Sequence, residues 1–242
     1  MFQRSPSLVE QVKSYLKRQI LQGNFDNGRI PAEVELARNL NVSRNTVRDA
    51  LSRLEIEGVI IRRQGAGTFI NKAGLMVKSQ LSEIVPYQAL IEEYGCTPAI
   101  ELISVEELPS PATAEKLHRH ADEPFLLVKK RFLADNQPVI FSSTYLPTRI
   151  IRRAYTPDDL RRPVFEFIPE FCEQDFSYFL TELVPLIPPD WLVSALKLPP
   201  QKSALVSFEE IGYNQNNEPA LMAISYFRND LLRLRLIRQN SS

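Results

Sequence analysis

Apolar residues recur every three or four positions through the first sixty residues, and every second position through much of the remaining chain. Leu8, Val12, Tyr15, Leu16, Ile20 and Leu21 fall at helical spacing, and Gly23 suits that helix's exit. Pro31 opens a second helix reaching Leu40, with Leu36, Ala37 and Leu40 inward. Asn41 supplies a tight turn. Ser43 then caps a third helix, which carries Val47, Leu51 and Leu54 with Val42 on its apolar face and ends near Gly58. Two β-prone runs, 59–63 and 68–70, flank Gln64-Gly65-Ala66-Gly67 and predict a hairpin. Three helices and then a hairpin describe a winged helix-turn-helix.

Beyond residue 71 the pattern changes. Residues 72–80 carry Gly74, two lysines and few strong structure formers, and read as a connection between a unit at 1–71 and one at 81–242. A helix is expected over 81–94, interrupted by Pro86, and Gly95-Cys96-Thr97-Pro98 is a breaker. Strands are expected at 99–108, then at 125–133 and 139–146 around the turn Asp135-Asn136-Gln137-Pro138. A second hairpin is expected from 203–213 and 221–227 around 214–218, and the strict alternation of 232–236 predicts a last strand with one buried face. Helices fit 111–120, 163–171 and 188–196. This order predicts an α+β domain, an antiparallel sheet with helices packed on it.

Composition is that of an ordinary globular protein, and the formal charge of the 242 residues is zero. The charge is unevenly placed. Residues 1–71 carry 11 Lys and Arg against 7 Asp and Glu, whereas the remainder carries 18 against 22. Positive potential therefore gathers around the third helix, as phosphate binding requires. Cys96 and Cys172 form no disulfide framework and no zinc spacing. The first residues lack a signal-peptide run, and no stretch approaches the roughly 20 apolar residues of a membrane span. A cytoplasmic location is expected.

The third helix holds the chemistry. Ser43, Arg44, Asn45, Thr46 and Arg48 crowd its N-terminal end with hydroxyl, amide and guanidinium groups. Such groups donate to phosphates and to base edges in a major groove. Arg62 and Arg63 flank the wing tip, where they can meet phosphates, and glycine at 65 and 67 allows close backbone approach.

Residues 8–71 resemble the DNA-binding domain of the GntR family of bacterial transcription regulators. The resemblance is carried by 28–37 (GRIPAEVELA), 42–51 (VSRNTVRDAL), 54–58 (LEIEG) and 62–69 (RRQGAGTF). It implies that Ser43, Arg44, Asn45, Thr46 and Arg48 touch DNA, with Arg44 and Arg48 suited to bidentate guanine contacts. It also implies that Gln64 and Gly65 enter the minor groove. Val34 stands where many members carry a polar residue that meets a phosphate, so that contact is lost.

The C-terminal pattern resembles the HutC-type subfamily, whose UTRA effector domain shares the chorismate lyase fold. Here the likeness rests on 95–98, on Lys130-Arg131 leading to 135–138, on Tyr145-Leu146-Pro147, and on Pro219 leading to 226–230. It implies an effector pocket over the sheet, with Ser82, Lys130, Arg131, Ser143, Tyr145, Tyr226 and Arg228 as polar contributors. Lys130 or Arg131 would hold an anionic group. Phe132 and Leu133 stand where a second basic residue is usual, and 219–223 lacks the acid of phosphosugar-binding members. The pocket is therefore expected to favour a less polar effector. No catalytic residues, cofactor or metal are expected, since His118 and His120 point to different faces of their helix. The expected partners are double-stranded operator DNA, a small-molecule effector and a second copy of the chain, with no membrane. Retained lyase chemistry and an architectural DNA binder without a ligand are the alternatives.

Overall fold

The computed structural model describes residues 7–75, 84–199, 204–232 and Leu234, which fall into two compact units, one up to Leu75 and one from Ile84 onward. In the first unit, helix α1 (Leu8–Leu21) starts at Ser7, whose side chain accepts from the Glu10 amide, and is followed by Gly23 at φ 73°. Strand β1 (Arg29–Ile30) precedes helix α2 (Glu33–Leu40), which begins two residues after Pro31. The expected first-turn proline thus lies just outside the helix. Asn41, in the left-handed conformation at φ 52°, ends α2 and aims helix α3 (Arg44–Ile56). Strands β2 (Ile60–Arg63) and β3 (Gly67–Ile70) form the wing, and β1 joins β3 to complete a three-stranded sheet.

Leu16, Val47, Ala50 and Leu54 are fully buried at the centre of this unit. Removal of each leucine from water contributes about 1.5–3 kcal/mol. Glu57, just past α3, is buried between Lys13 and Lys17 of α1 at 2.9 and 2.8 Å. Helix α4 (Lys72–Leu75) lies within the expected connection, and Leu75 packs on the N-terminal core. Residues 76–80 of that connection lie outside the described residues.

The second unit begins with helix α5 (Tyr87–Glu93). Pro86 sits at its N-cap, so the proline starts this helix rather than interrupting one. Then come β4 (Pro98–Pro109), α6 (Pro111–Lys116), β5 (Pro124–Ala134), β6 (Gln137–Pro147), α7 (Val164–Phe171), β7 (Phe176–Leu186), α8 (Asp190–Ala195), β8 (Leu205–Asn214) and β9 (Pro219–Phe227). The six strands make one antiparallel sheet in the order β4-β5-β6-β9-β8-β7. Asp135 and Asn136, at φ 48° and 66°, form the two-residue turn between β5 and β6, the backbone geometry that the twist of a hairpin selects. The buried Asn214 organises the second hairpin by accepting from the Asn216 and Glu218 amides at 3.0 Å.

Helix α7 and the segments before it cover one face of the sheet, where Phe167, Ile168 and Phe171 meet Leu126, Val128, Leu221 and Ala223. Helices α6 and α8 cover the other, through Ala114 with Phe125 and Met222, and Leu192 with Phe141 and Tyr226. The architecture is α+β, as the pattern predicts. Two expectations fail. Strand β7 is absent from the predicted elements, because its apolar residues lie on both sides of the strand and show no alternation. Conversely, Leu232 and Leu234, within the expected strand at 232–236, are not in a strand, and Leu232 is buried beside a turn made by Arg228. The other residues of that stretch lie outside the described residues.

Candidate functional site

Helix α3 presents its N-terminal end outward. Ser43 accepts the Thr46 amide at 3.0 Å, and the two hydroxyl oxygens lie 2.8 Å apart, which caps the helix and fixes both side chains. Arg44 and Arg48 stand one turn apart on the same face. Both reach Glu33 on α2: Arg44 Nε lies 3.3 Å from Glu33 Oε2, and Arg48 Nε and Nη2 lie 3.2 and 3.1 Å from the same oxygen. Their side chains remain 60% and 46% exposed. Burial works against ionisation of the Glu33 carboxyl, but hydrogen bonds from Arg48 and then Arg44 hold it below the ordinary carboxylate range. One acid on the first helix of the motif therefore aligns two guanidiniums on the second. Asn45 is exposed beside them.

The wing tip is open. Gln64, Gly65 and Gly67 are exposed, and Gly65 and Gly67 have φ of 73° and 114°, a region that favours glycine. Arg63 lies over the Phe69 ring, 5.2 Å from its centroid. Arg62 behaves differently. It donates to the Arg48 carbonyl and Ser52 Oγ at 3.1 and 3.2 Å, and its Nε lies 3.3 Å from Glu55. This side chain braces the wing against α3. Val34 is 52% exposed on α2.

In the C-terminal unit the strand register sorts the expected effector residues. Lys130 on β5, Ser142 on β6, Ser225 on β9 and Phe208 on β8 form one row across four strands. Alternation places Phe132, Thr144, Phe227 and Glu210 on the same face. Lys130 is buried, and its Nζ donates to the Arg162 carbonyl at 2.5 Å, with no carboxylate beside it among the described residues. Burial pulls its pKa down to about 8. Ser225 donates to Ser142 at 3.2 Å. Tyr87, on α5, packs edge-on against Phe132 and Phe227 and lies 3.5 Å from Glu210. Thr181 donates to Glu210 at 2.9 Å. Burial pushes the Glu210 carboxyl up, against the hydrogen bonds from Thr181 and Tyr87.

The other expected residues do not join this cluster. Arg131, adjacent to Lys130 in sequence, points to the opposite face, where it is bound 2.6 Å from Glu101 and donates to the Ala195 carbonyl at 3.1 Å. Ser143, Tyr145 and Tyr226 share that opposite face, Tyr145 beside α6 and Tyr226 against Trp191. Arg228 is buried and holds the chain together, donating to the Pro138 and Leu196 carbonyls and pairing with Asp230 at 2.6 Å. Ser82 lies outside the described residues. The expected set of seven is therefore not one site. Thr144, Ser225, Glu210 and Tyr87, which sequence reasoning missed, accompany Lys130 and Ser142 instead. Their signal was parity: each strand residue shares Lys130's face once the register is known. Neither thiol is activated: burial pushes Cys172 to about 11, and burial and then Asp135 raise Cys96. No helix among the described residues is long and apolar enough to cross a membrane.

Comparison with known proteins agrees with the two-unit fold. The family described as "Bacterial regulatory proteins, gntR family" matches residues 8–70, and the UTRA domain matches residues 93–233. YurK of Bacillus subtilis (strain 168), named an uncharacterized HTH-type transcriptional regulator, is 34% identical over 145 residues, 59% of this chain and 59% of its own length. An Escherichia coli (strain K12) protein named "Probable fructoselysine utilization operon transcriptional repressor" is 32% identical over 142 residues, 58% of this chain and 57% of its own length. The matched stretch thus spans less than two thirds of these relatives. In fold, the chain superimposes on the crystal structure of "possible transcriptional regulator YydK" from Bacillus subtilis with a TM-score of 0.74 at 18% identity, covering 97% of this chain and 99% of that one. PhnF of Mycobacterium smegmatis gives 0.57 at 20% identity, with 95% and 100% covered. A GntR-type winged helix-turn-helix followed by a UTRA domain is the architecture of the HutC-type regulators, and this chain belongs to the gntR family of bacterial regulatory proteins.

Proposed function

We propose that the protein is a cytoplasmic repressor, that two copies hold a near-palindromic operator, and that a small anionic effector in the UTRA domain releases it. The observation that carries the reading is the pair Arg44 and Arg48, aligned side by side by Glu33 at the outward end of α3. Two guanidiniums one turn apart at that end suit guanine edges in a major groove, with Ser43, Asn45 and Thr46 beside them for phosphates. Gln64, Gly65 and Gly67 offer the wing tip to the adjacent minor groove. Residues 1–71 form the DNA unit in this reading and 81–242 the effector and dimer unit. Leu75 packs on the N-terminal core, which carries the DNA unit past residue 71.

One recognition helix covers a short half-site, so a palindrome requires two. The outer edge of the sheet supports a dimer: β7 has no neighbour on its far side among the described strands, and Tyr178, Leu180 and Leu183 along it are exposed. The effector chemistry rests on the Lys130 face. A buried ammonium without a carboxylate attracts an anion, the aromatic group Phe132, Phe208, Phe227 and Tyr87 suits an apolar body, and Glu210 accepts from a donor at the far end. Effector binding shifts the population to an arrangement with the wrong half-site spacing. A repressor's name on the Escherichia coli relative supports the sign of the response.

Selection from random oligonucleotides should yield an operator, and Arg44→Ala should weaken binding to it by about 1–3 kcal/mol at fixed salt. Unchanged affinity would refute the docking of α3.

A further inference from the structure

Four chain segments converge on an open cavity of about 400 Å³ at the end of the C-terminal sheet. They are the stretch after α6, the stretch after β6, the approach to β7 and the start of β9. None of the residues named above on the Lys130 face lines it, although Ile150 packs on the core of that same side of the sheet. Its polar wall is made by Arg119, Arg149, Arg152, Gln174 and Glu218. Arg149 has a local counter-charge, since its Nε lies 2.8 Å from Glu123 in an ion pair. The other two arginines have none among the described residues. Arg119 is anchored by Nη2, which donates to the Pro219 carbonyl at 3.3 Å, while its Nε is buried with no acceptor. With one guanidinium N–H bound to a carbonyl and no carboxylate paired with it among the described residues, the Arg119 head keeps further donors and an uncompensated charge for an anion in the cavity. Arg152 is exposed at the same cavity with no carboxylate on it.

Glu218 brings an acid to the same lining without an ion pair to either arginine. It is held by Asn214, whose Nδ2 donates to it at 3.1 Å. A carboxylate accepts hydrogen bonds and donates none. An oxyanion that seats on the two arginines while touching Glu218 must therefore bring its own hydrogen. Sulfate brings none near neutral pH, whereas monohydrogen phosphate does. The volume exceeds that of one phosphate and leaves room for a small substituent.

We propose that this cavity is a second ligand site of the C-terminal unit, specific for a monohydrogen phosphate group, with Arg119 and Arg152 as its anion ligands and Glu218 as the acceptor that excludes sulfate. It is independent of the effector reading and carries a different selectivity. The test is calorimetric titration of the full-length protein with inorganic phosphate at constant ionic strength. Saturable binding of one phosphate per chain is expected, weakened at least tenfold by Arg152→Gln, an exposed position where folding is not at risk, and by Arg119→Gln. Lys130→Met should leave it within twofold. Sulfate should bind at least tenfold more weakly than phosphate, and Glu218→Gln should close that difference. No saturable binding, an undiminished Arg152→Gln variant, loss in Lys130→Met, or equal binding of sulfate by the natural chain would each overturn the assignment.

Discussion

Lys130 and Arg131 are neighbours in sequence and opposites in structure. On a strand, consecutive side chains leave by opposite faces, so two adjacent basic residues cannot share a pocket. Arg131 is neutralised by Glu101, whereas Lys130 is buried against a backbone carbonyl. The burial has a consequence for stability. An ordinary lysine titrates near 10.5, and Lys130 is held at about 8. Between those values the unfolded chain binds the proton and the folded chain does not, so stability rises with pH across that window and the burden of the buried charge is fully present below 8. Lys130→Met should therefore stabilise the C-terminal unit at pH 7 by about 1–3 kcal/mol, read as a higher melting temperature, and should flatten the rise above pH 8. An unchanged or lower melting temperature would mean that the ammonium is better satisfied than the structure shows. Affinity for an anionic effector should fall above pH 8, as the ammonium loses its proton. Both charges were legible in the sequence. Which of them is available was not, because that depends on where Glu101 and the Arg162 carbonyl arrive.

Local signals were reliable where one residue dictates backbone geometry. Asn41, Ser43 and Gly58 place the boundaries of the helix-turn-helix, and Asp135-Asn136 makes the turn between β5 and β6, because capping and positive φ are decided by the residues themselves. Signals failed where the neighbour decides. Strand β7 has no alternation of its own and exists because β8 offers it a partner. Strand β1 is two residues long and is recruited by β3. The segment after the wing is a further case. Gly74 reads as a linker residue, yet it is buried in α4, where an added Cβ would stand 1.9 Å from the Gly58 carbonyl oxygen. Gly74→Ala should destabilise the DNA-binding unit by about 1–3 kcal/mol, seen as a lower urea midpoint of the helical circular-dichroism signal. If the midpoint is unmoved, α4 does not dock there in solution.

Across the whole molecule, function is divided between two units with different demands. The first needs an exposed, ordered cationic end, which Glu33 provides by holding Arg44 and Arg48 without burying them. In the proposed function the second needs a buried polar face for a ligand and an outer surface for a second copy. If β7 forms that surface, Leu180→Lys should convert a dimer to a monomer in light scattering and weaken operator binding at least tenfold, with the melting temperature nearly unchanged. A variant that stays dimeric would move the interface elsewhere. The winged helix-turn-helix and the α+β class came from the sequence alone, since they rest on periodicity, capping and turn chemistry, which act over a few residues. The division of the effector residues between two faces, the role of Arg62 as a brace and the cavity at Arg119 came only from the tertiary structure. They depend on strand register and on contacts between segments far apart in sequence, such as Arg119 with Pro219 and Tyr87 with Glu210, and no local pattern encodes those distances.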